Sequence, residues 1–355
     1  MREKFLSKRN WPVMISLAIL LSITLICIIG PFFSGHPYDA VYRDYVLARP
    51  SLLAHPNAVE INETVASIAR RMRARIAMAP QSDDLVPMTL QAEKPIDLRA
   101  MRNFPRSDLF GMPRIKSEED GGRRLEIEVP IRRMFFLFGT DANGRDLFTR
   151  VLVAGRISLA VGLLASGVAL TIGVAYGAIA GYAGGRTDTL MMRVVEIIYA
   201  LPFIFLVIVL VMVFGRHFVL IFVAIGAVEW LDMARIVRAQ TLSIKQRDFV
   251  AAAEALGVAT PAILLRHVIP NATGPIAAFL TILVPRVILL ESFVSFLGLG
   301  VQEPLTSWGV LIADGARNIQ GSLHLLIFPA LFLAATLAAL QGLSSGWRKP
   351  ETGRL

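Results

Sequence analysis

Residues 247–271, RDFVAAAEALGVATPAILLRHVIPN, decide how this chain is read. Residues 249–256 have the pattern of a short helix with an alanine-rich face, and Gly257 stands where a left-handed residue would end it. Thr260 then offers an N-cap, Pro261 fits the first helical position, and Ile263, Leu264 and Val268 continue an apolar face until Pro270. The unit lies between two long apolar runs. A helical knob in that place, if it faces the cytoplasm, has the shape of a plug for a groove on another protein. The plainer reading is a pair of amphipathic linker helices.

The flanking runs follow from composition. Hydrophobic residues make up 55% of the 355 and charged residues 18%, with a mean hydropathy of +0.59, which demands a membrane. Crossing about 30 Å of hydrocarbon takes roughly 20 helical residues. Six stretches qualify: residues 11–33, 157–182, 197–215, 218–233, 273–297 and 323–345. The fourth is the weakest, because Glu229 and Asp232 interrupt it, and the fifth contains Arg286 and Glu291. The first follows a basic start (Arg2, Lys4, Lys8, Arg9) but is longer than a signal core of about 7–15 residues. It reads as a retained anchor.

Short-loop Lys and Arg mark the cytoplasmic side. They collect in the N-terminal tail, at Arg186 and Arg193, at Arg235, Arg238, Lys245, Arg247 and Arg266, and at Arg348, Lys349 and Arg354. This places both termini and the 247–271 unit inside. The net charge of +9 reflects that topology, and no basic-aromatic pattern points to nucleic acid. The single cysteine, Cys27, excludes an intrachain disulfide.

Residues 35–156 then fall outside, where long segments escape the charge rule. Ile61, Val65, Ile68, Met72 and Ile76 recur at helical spacing. Leu125, Ile127 and Val129 alternate with Arg124, Glu126 and Glu128 up to Pro130. The expectation is a small α+β insert between the first two spans. Asp141 reads as a turn or cap acid, and Leu147, Phe148, Val151 and Leu152 as the stripe of a helix at the interface.

Gly173, Gly177 and Gly181 recur every four residues in the second span, the spacing of a tight helix interface. Intramembrane charge usually faces protein or water. Glu196 stands at the start of the third span. Glu229 and Asp232, close to Arg235, read as interfacial. Arg286 and Glu291, five apart, are poor partners for each other and point to pairing with other helices or to a polar path. No phosphate loop, HExxH pair or GxSxG elbow occurs. The scattered histidines (36, 55, 217, 267 and 324) argue against a metal site.

Several motifs resemble known sequences. Residues 251–270 are similar to the EAA loop of ABC-importer permeases, with Ala252, Ala253, Gly257 and Pro270 on the pattern. Arg266-His267 before VIPN resembles the peptide/nickel subgroup. The position of the family's Glu is Ala251, and the acid lies at Glu254. GTDANGRDLFTR (139–150), GRISLAVG (155–162), GYAGGRTD (181–188) and ESFVSFLGLGVQEPLTSWG (291–309) resemble C-type permeases of dipeptide and oligopeptide importers. The tail GLSSGWR (342–348) departs from the family's usual ending.

The resemblance implies an all-α integral membrane fold: six transmembrane helices of ABC-importer permease type, with the small α+β insert outside the membrane between the first two. It divides the chain into a tail and first helix (1–34), the insert and interfacial helix (35–156), a five-helix core (157–347) and a cytoplasmic tail (348–355). It implies a non-catalytic permease subunit in a bacterial inner membrane. Its expected partners are a second, homologous permease, two ATPases and an extracytoplasmic binding protein, with ATP-Mg on the ATPases and no cofactor on this chain. The ATPase contact would use Phe249, Ala252, Ala253, Glu254, Gly257, Arg266, His267 and Pro270. Glu291, Ser292, Phe296, Ser307 and Trp308 would line or gate the path. Dipeptides or oligopeptides are the expected cargo; nickel chelates, glutathione and peptide antibiotics are alternatives within the class. An ion-coupled secondary transporter, with Glu291 carrying the coupling ion, and an intramembrane enzyme are the readings from other classes.

Overall fold

The computed structural model describes residues 11–78, 85–215 and 218–347. The basic N-terminal tail, His217 and the 348–355 tail lie outside the described residues. The chain divides into two compact units. One comprises residues 34–150 with 320–325; the other comprises the segment up to residue 33, residues 151–319 and residues from 326 onward.

The smaller unit is built on a helix and a sheet. Helix α2 (Ala58–Met72) opens with a reciprocal cap: the Asn57 side chain accepts from the Glu60 N–H, and the Glu60 carboxylate accepts from the Asn57 N–H. It closes at Arg73, which adopts the left-handed conformation. Ile76 therefore leaves the helix that its spacing suggested and enters strand β1 (Arg75–Met78). With β2 (Leu85–Gln91), β3 (Arg114–Glu119) and β4 (Arg124–Pro130) it forms an antiparallel sheet of order β1-β2-β4-β3. Leu125, Ile127 and Val129 are buried with Val86, Met88 and Leu90 of β2, and Ile61, Val65 and Ile68 of α2 join the same core. The period-2 and period-3.6 patterns thus each bury one face.

The larger unit is helical. Helix α1 (Trp11–Phe33) carries Pro31 within it. A proline has no N–H for the carbonyl four residues back, here Cys27, and Arg156 Nε donates to that oxygen at 2.7 Å. Helix α3 (Leu147–Ala183) is one unbroken helix of 37 residues. The stripe at Leu147, Phe148, Val151 and Leu152 is its first turns, not a separate interfacial helix. The predicted third span is broken. Leu201 is extended, as a residue before proline tends to be, and Pro202 separates α4 (Gly185–Ala200) from α5 (Phe203–Phe214) with a bend of 84°.

Helix α6 (Phe218–Lys245) is followed by α7 (Asp248–Ala255) and α8 (Thr260–Ile263). A π turn, Leu264–Val268, joins α8 to α9 (Ile269–Phe296). The apolar face does not stop at Pro270. The wider turn, in which the Ile269 N–H reaches back to the Leu264 carbonyl, admits the proline ring and lets the helix run on. Helices α10 (Trp308–Arg317) and α11 (His324–Trp347) complete the unit. Among the described residues, four helices are long and apolar enough to cross a membrane, and the bent α4–α5 pair would make a fifth. α6, the fourth predicted span, has 28 residues but carries charge through its second half.

Candidate functional site

The knob is α7, α8 and the turn between them. Val250 and Ala253 of α7 and Ile263 of α8 are buried in the main core cluster. Phe249, Ala252 and Leu256 take the opposite face, and Leu256 is 83% exposed. The turn is a double-bonded C-cap: the Gly257 N–H donates to the Glu254 carbonyl at 3.0 Å and the Val258 N–H to the Ala253 carbonyl at 3.1 Å. Gly257 has φ +74° with open space around it, so backbone conformation alone demands glycine there. The N-cap of α8 is Ala259 rather than Thr260, which is the first helical residue. Arg266 and Pro270 are exposed, and His267 is half-buried, its carbonyl accepting from Asn271 Nδ2.

The ends of α3 and α6 support this knob. Gly173, Gly177 and Gly181 face α6. A Cβ on Gly173 would lie 2.6 Å from Met233 Cγ, one on Gly177 3.0 Å from the Arg238 nitrogen, and one on Gly181 2.8 Å from the Arg238 carbonyl oxygen. Arg238 also pairs in a two-bond fork with Asp188 of α4, with Nη2 to Oδ2 at 2.6 Å. Lys245 Nζ donates to the Tyr182 carbonyl at 2.6 Å, and the Tyr182 hydroxyl donates to Glu254 Oε1 at 2.7 Å. Sequence reasoning missed Tyr182, Lys245 and the Asp188–Arg238 pair. GYAGGRTD carried the only signal, and nothing local in it names a partner on α6 or α7.

A second polar center lies among α3, α9 and α10. Glu291 is 0% exposed. It accepts from Ser158 Oγ at 3.1 Å, Ser295 Oγ at 2.7 Å and Ser292 Oγ at 3.4 Å. Trp308, also 0% exposed, donates its backbone N–H to Ser158 Oγ at 3.2 Å and its indole N–H to the Val151 carbonyl at 3.0 Å. Ser307 caps α10. Phe296 is exposed, at the far end of α9. The structure thus brings Glu291, Ser292, Ser307 and Trp308 together and leaves Phe296 apart. The Ser292 and Ser295 bonds stay within α9, while Ser158 carries the carboxyl across to α3 and, through the Trp308 N–H, to α10.

The remaining charges also pair across helices. Arg286 of α9 reaches Asp232 Oδ2 at 2.8 Å and Glu229 Oε1 at 3.4 Å, both on α6. Glu229 is 2% exposed, and its cation comes from another helix rather than from the nearby Arg235. Glu196 pairs with Arg193 on the exposed face of α4. Among the described residues, no group of three or more His, Cys, Asp or Glu is placed to hold a metal.

Comparisons with known proteins agree with this architecture. Residues 173–347 match the model of the binding-protein-dependent transport system inner membrane component. Residues 8–54 match that of the N-terminal transmembrane domain of oligopeptide transport permease C. The chain is 51% identical over 230 residues to the oligopeptide transport system permease protein OppC of Haemophilus influenzae, covering 65% of this chain and 74% of that one. It is 54% identical over 211 residues to OppC of Escherichia coli K12, covering 59% and 70%. To the dipeptide transport system permease protein DppC of Bacillus subtilis it is 45% identical over 210 residues, covering 59% and 66%. Long apolar helices, a small sheet-bearing insert after the first of them and these matches lead to one conclusion: the chain belongs to the family of binding-protein-dependent transport system inner membrane components, as a non-catalytic, C-type permease subunit of an ABC importer.

Proposed function

We propose that this subunit forms part of the path for dipeptides or oligopeptides and converts movement of a docked ATPase into movement of its helices. The capped α7–α8 knob between α6 and α9 carries the reading. Its apolar surface at Phe249, Leu256 and Leu265 is exposed beside Arg266, while its other face is built into the core. A surface of that kind is suited to insertion into a groove. The peptide cargo rests on the names of the relatives, oligopeptide and dipeptide permeases.

In this reading a homologous permease completes the path, two ATPases bind ATP-Mg and engage the knobs from the cytoplasm, and a binding protein delivers cargo from outside. The chain sits in a bacterial inner membrane with both termini inside. The buried Glu291–Ser158–Trp308 junction, the adjoining Ser292 and Ser307, and Phe296 at the far end of α9 lie on helices that would shift as the path opens.

Gly257→Val tests the docking. A β-branched residue resists positive φ, so the cap should open while the spans still insert. The expected result is a membrane-inserted permease that no longer retains the ATPases and loses ATP-dependent peptide uptake in vesicles. Co-purification of the ATPases with full coupled uptake would sink the proposal.

A further inference from the structure

The α7 arm of the knob closes on one oxygen of α3. Glu254, at the end of α7, accepts from the Tyr182 hydroxyl at 2.7 Å. Thr260, the first residue of α8, lies near the same hydroxyl. Between them in sequence lies Gly257, whose surroundings are open.

Tyr182 is itself fixed. It belongs to the last turn of α3 and is buried. Its carbonyl accepts from Lys245 Nζ at 2.6 Å, and the same ammonium lies 4.9 Å from its ring centroid. Lys245 is the last residue of α6. One residue earlier, Gly181 places the α3 backbone against Arg238 and Thr241 of α6. At this level α3 and α6 are packed backbone to backbone and cannot slide without breaking several contacts together.

We propose that the Tyr182 hydroxyl is the point through which displacement of the knob passes to the α3–α6 pair, with Glu254 as its positioning residue. The inference rests on the docking reading above and specifies how the docked surface reaches the membrane helices. It also gives Glu254 a role at a position three residues from the family's acid. A carboxylate there bonds the α3 tyrosine, while Phe249, Ala252 and Leu256 remain exposed on the other side of the knob. A hydrogen bond to a charged acceptor is about twice as strong as a neutral one and holds direction, which a load-bearing contact between a short helix and a span requires.

Tyr182→Phe keeps the ring, the lysine contact and the backbone bond, and removes only the phenolic oxygen. In the full transporter complex in nanodiscs and vesicles, the expected result is a fall of about tenfold in peptides moved per ATP hydrolysed. ATP hydrolysis should continue and the cargo KM should stay unchanged. Glu254→Gln, which keeps an acceptor, should restore most of the coupling lost in Glu254→Ala. Amide exchange across residues 248–263 should quicken in Tyr182→Phe. Wild-type coupling in Tyr182→Phe with the ATPases bound would overturn the proposal. If the ATPases do not bind the wild-type permease, the docking reading fails instead. The exchange measurement still decides the strut, and unchanged exchange would dismiss it.

Discussion

Asp146 shows how a single carboxyl can be held in tension. Its Oδ2 accepts from the Thr149 N–H at 2.8 Å, capping the start of α3, and from the Thr149 hydroxyl. Its other oxygen is buried without a partner. Burial pushes its pKa above the ordinary carboxylate range; the Thr149 bonds and the nearby His36 oppose that without cancelling it. A carboxyl with a raised folded-state pKa stabilises the fold fully only below its unfolded value, and that contribution is lost as pH rises through the folded value. Asp146→Asn keeps an oxygen acceptor for the cap and carries no charge. The variant should therefore protect the insert from amide exchange better than wild type at pH 7.5, with the difference shrinking as pH falls toward 5. A difference that widens on acidification would show that the cap's charge, and not its burial, dominates. Asp141, five residues earlier, has both its oxygens engaged. It accepts from the Asn143 and Arg145 N–H groups and pairs with Arg145 and Arg150; the sequence identified it as a turn acid because an Asp before Ala-Asn-Gly commonly bonds its own backbone.

At the scale of elements, the α3–α6 contact depends on side chains that are absent. Small residues let backbones meet in lipid, where packing rather than water exclusion drives association. Gly177→Leu would place its Cβ 3.0 Å from both the Arg238 nitrogen and Val237 Cβ, and backbone cannot move aside as a flexible side chain can. The expected cost is about 1–3 kcal/mol or more, read as reduced assembly of the complex and a lower melting temperature. Gly167→Leu on the same helix, with nothing within 4 Å, is the control and should assemble normally. Equal behaviour of the two variants would mean that α3 and α6 do not meet at Gly177. This contact was legible because glycine spacing is a local signal, as was α1, whose ends coincide with its uncharged run. Other features were not. The α4–α5 break turned on Pro202, hidden inside a run whose hydropathy alone suggested one span. Ile76 happened to continue the α2 spacing after Arg73 had already turned the chain. The Arg286–Glu229–Asp232 cluster, the Tyr182 junction and the Ser158–Glu291–Trp308 network are all made between helices distant in sequence, which periodicity does not record.

For the whole molecule, the decisive quantity is the side of the membrane on which each unit lies. The smaller unit has a core of its own, with a sheet, a capped helix and Phe104, Phe110 and Phe136 fully buried, so it is a folded body and not a tether. The knob lies after several further apolar helices in the other unit. If short basic loops face the cytoplasm, the insert must be outside and the knob inside; reversing one reverses the other. Single cysteines at exposed insert positions, Asn62→Cys and Glu118→Cys, and at Leu256→Cys on the knob test this in a Cys27→Ser background. Cys27 is buried against Gly155, so its replacement removes a thiol that an impermeant reagent would reach poorly in any case. With intact spheroplasts, both insert cysteines should label and Leu256→Cys should be protected until the inner face is opened. Protection of the insert with labelling of the knob would put Phe249, Leu256 and Arg266 outside the cell. No ATPase works there, so the docking reading would fall together with the topology.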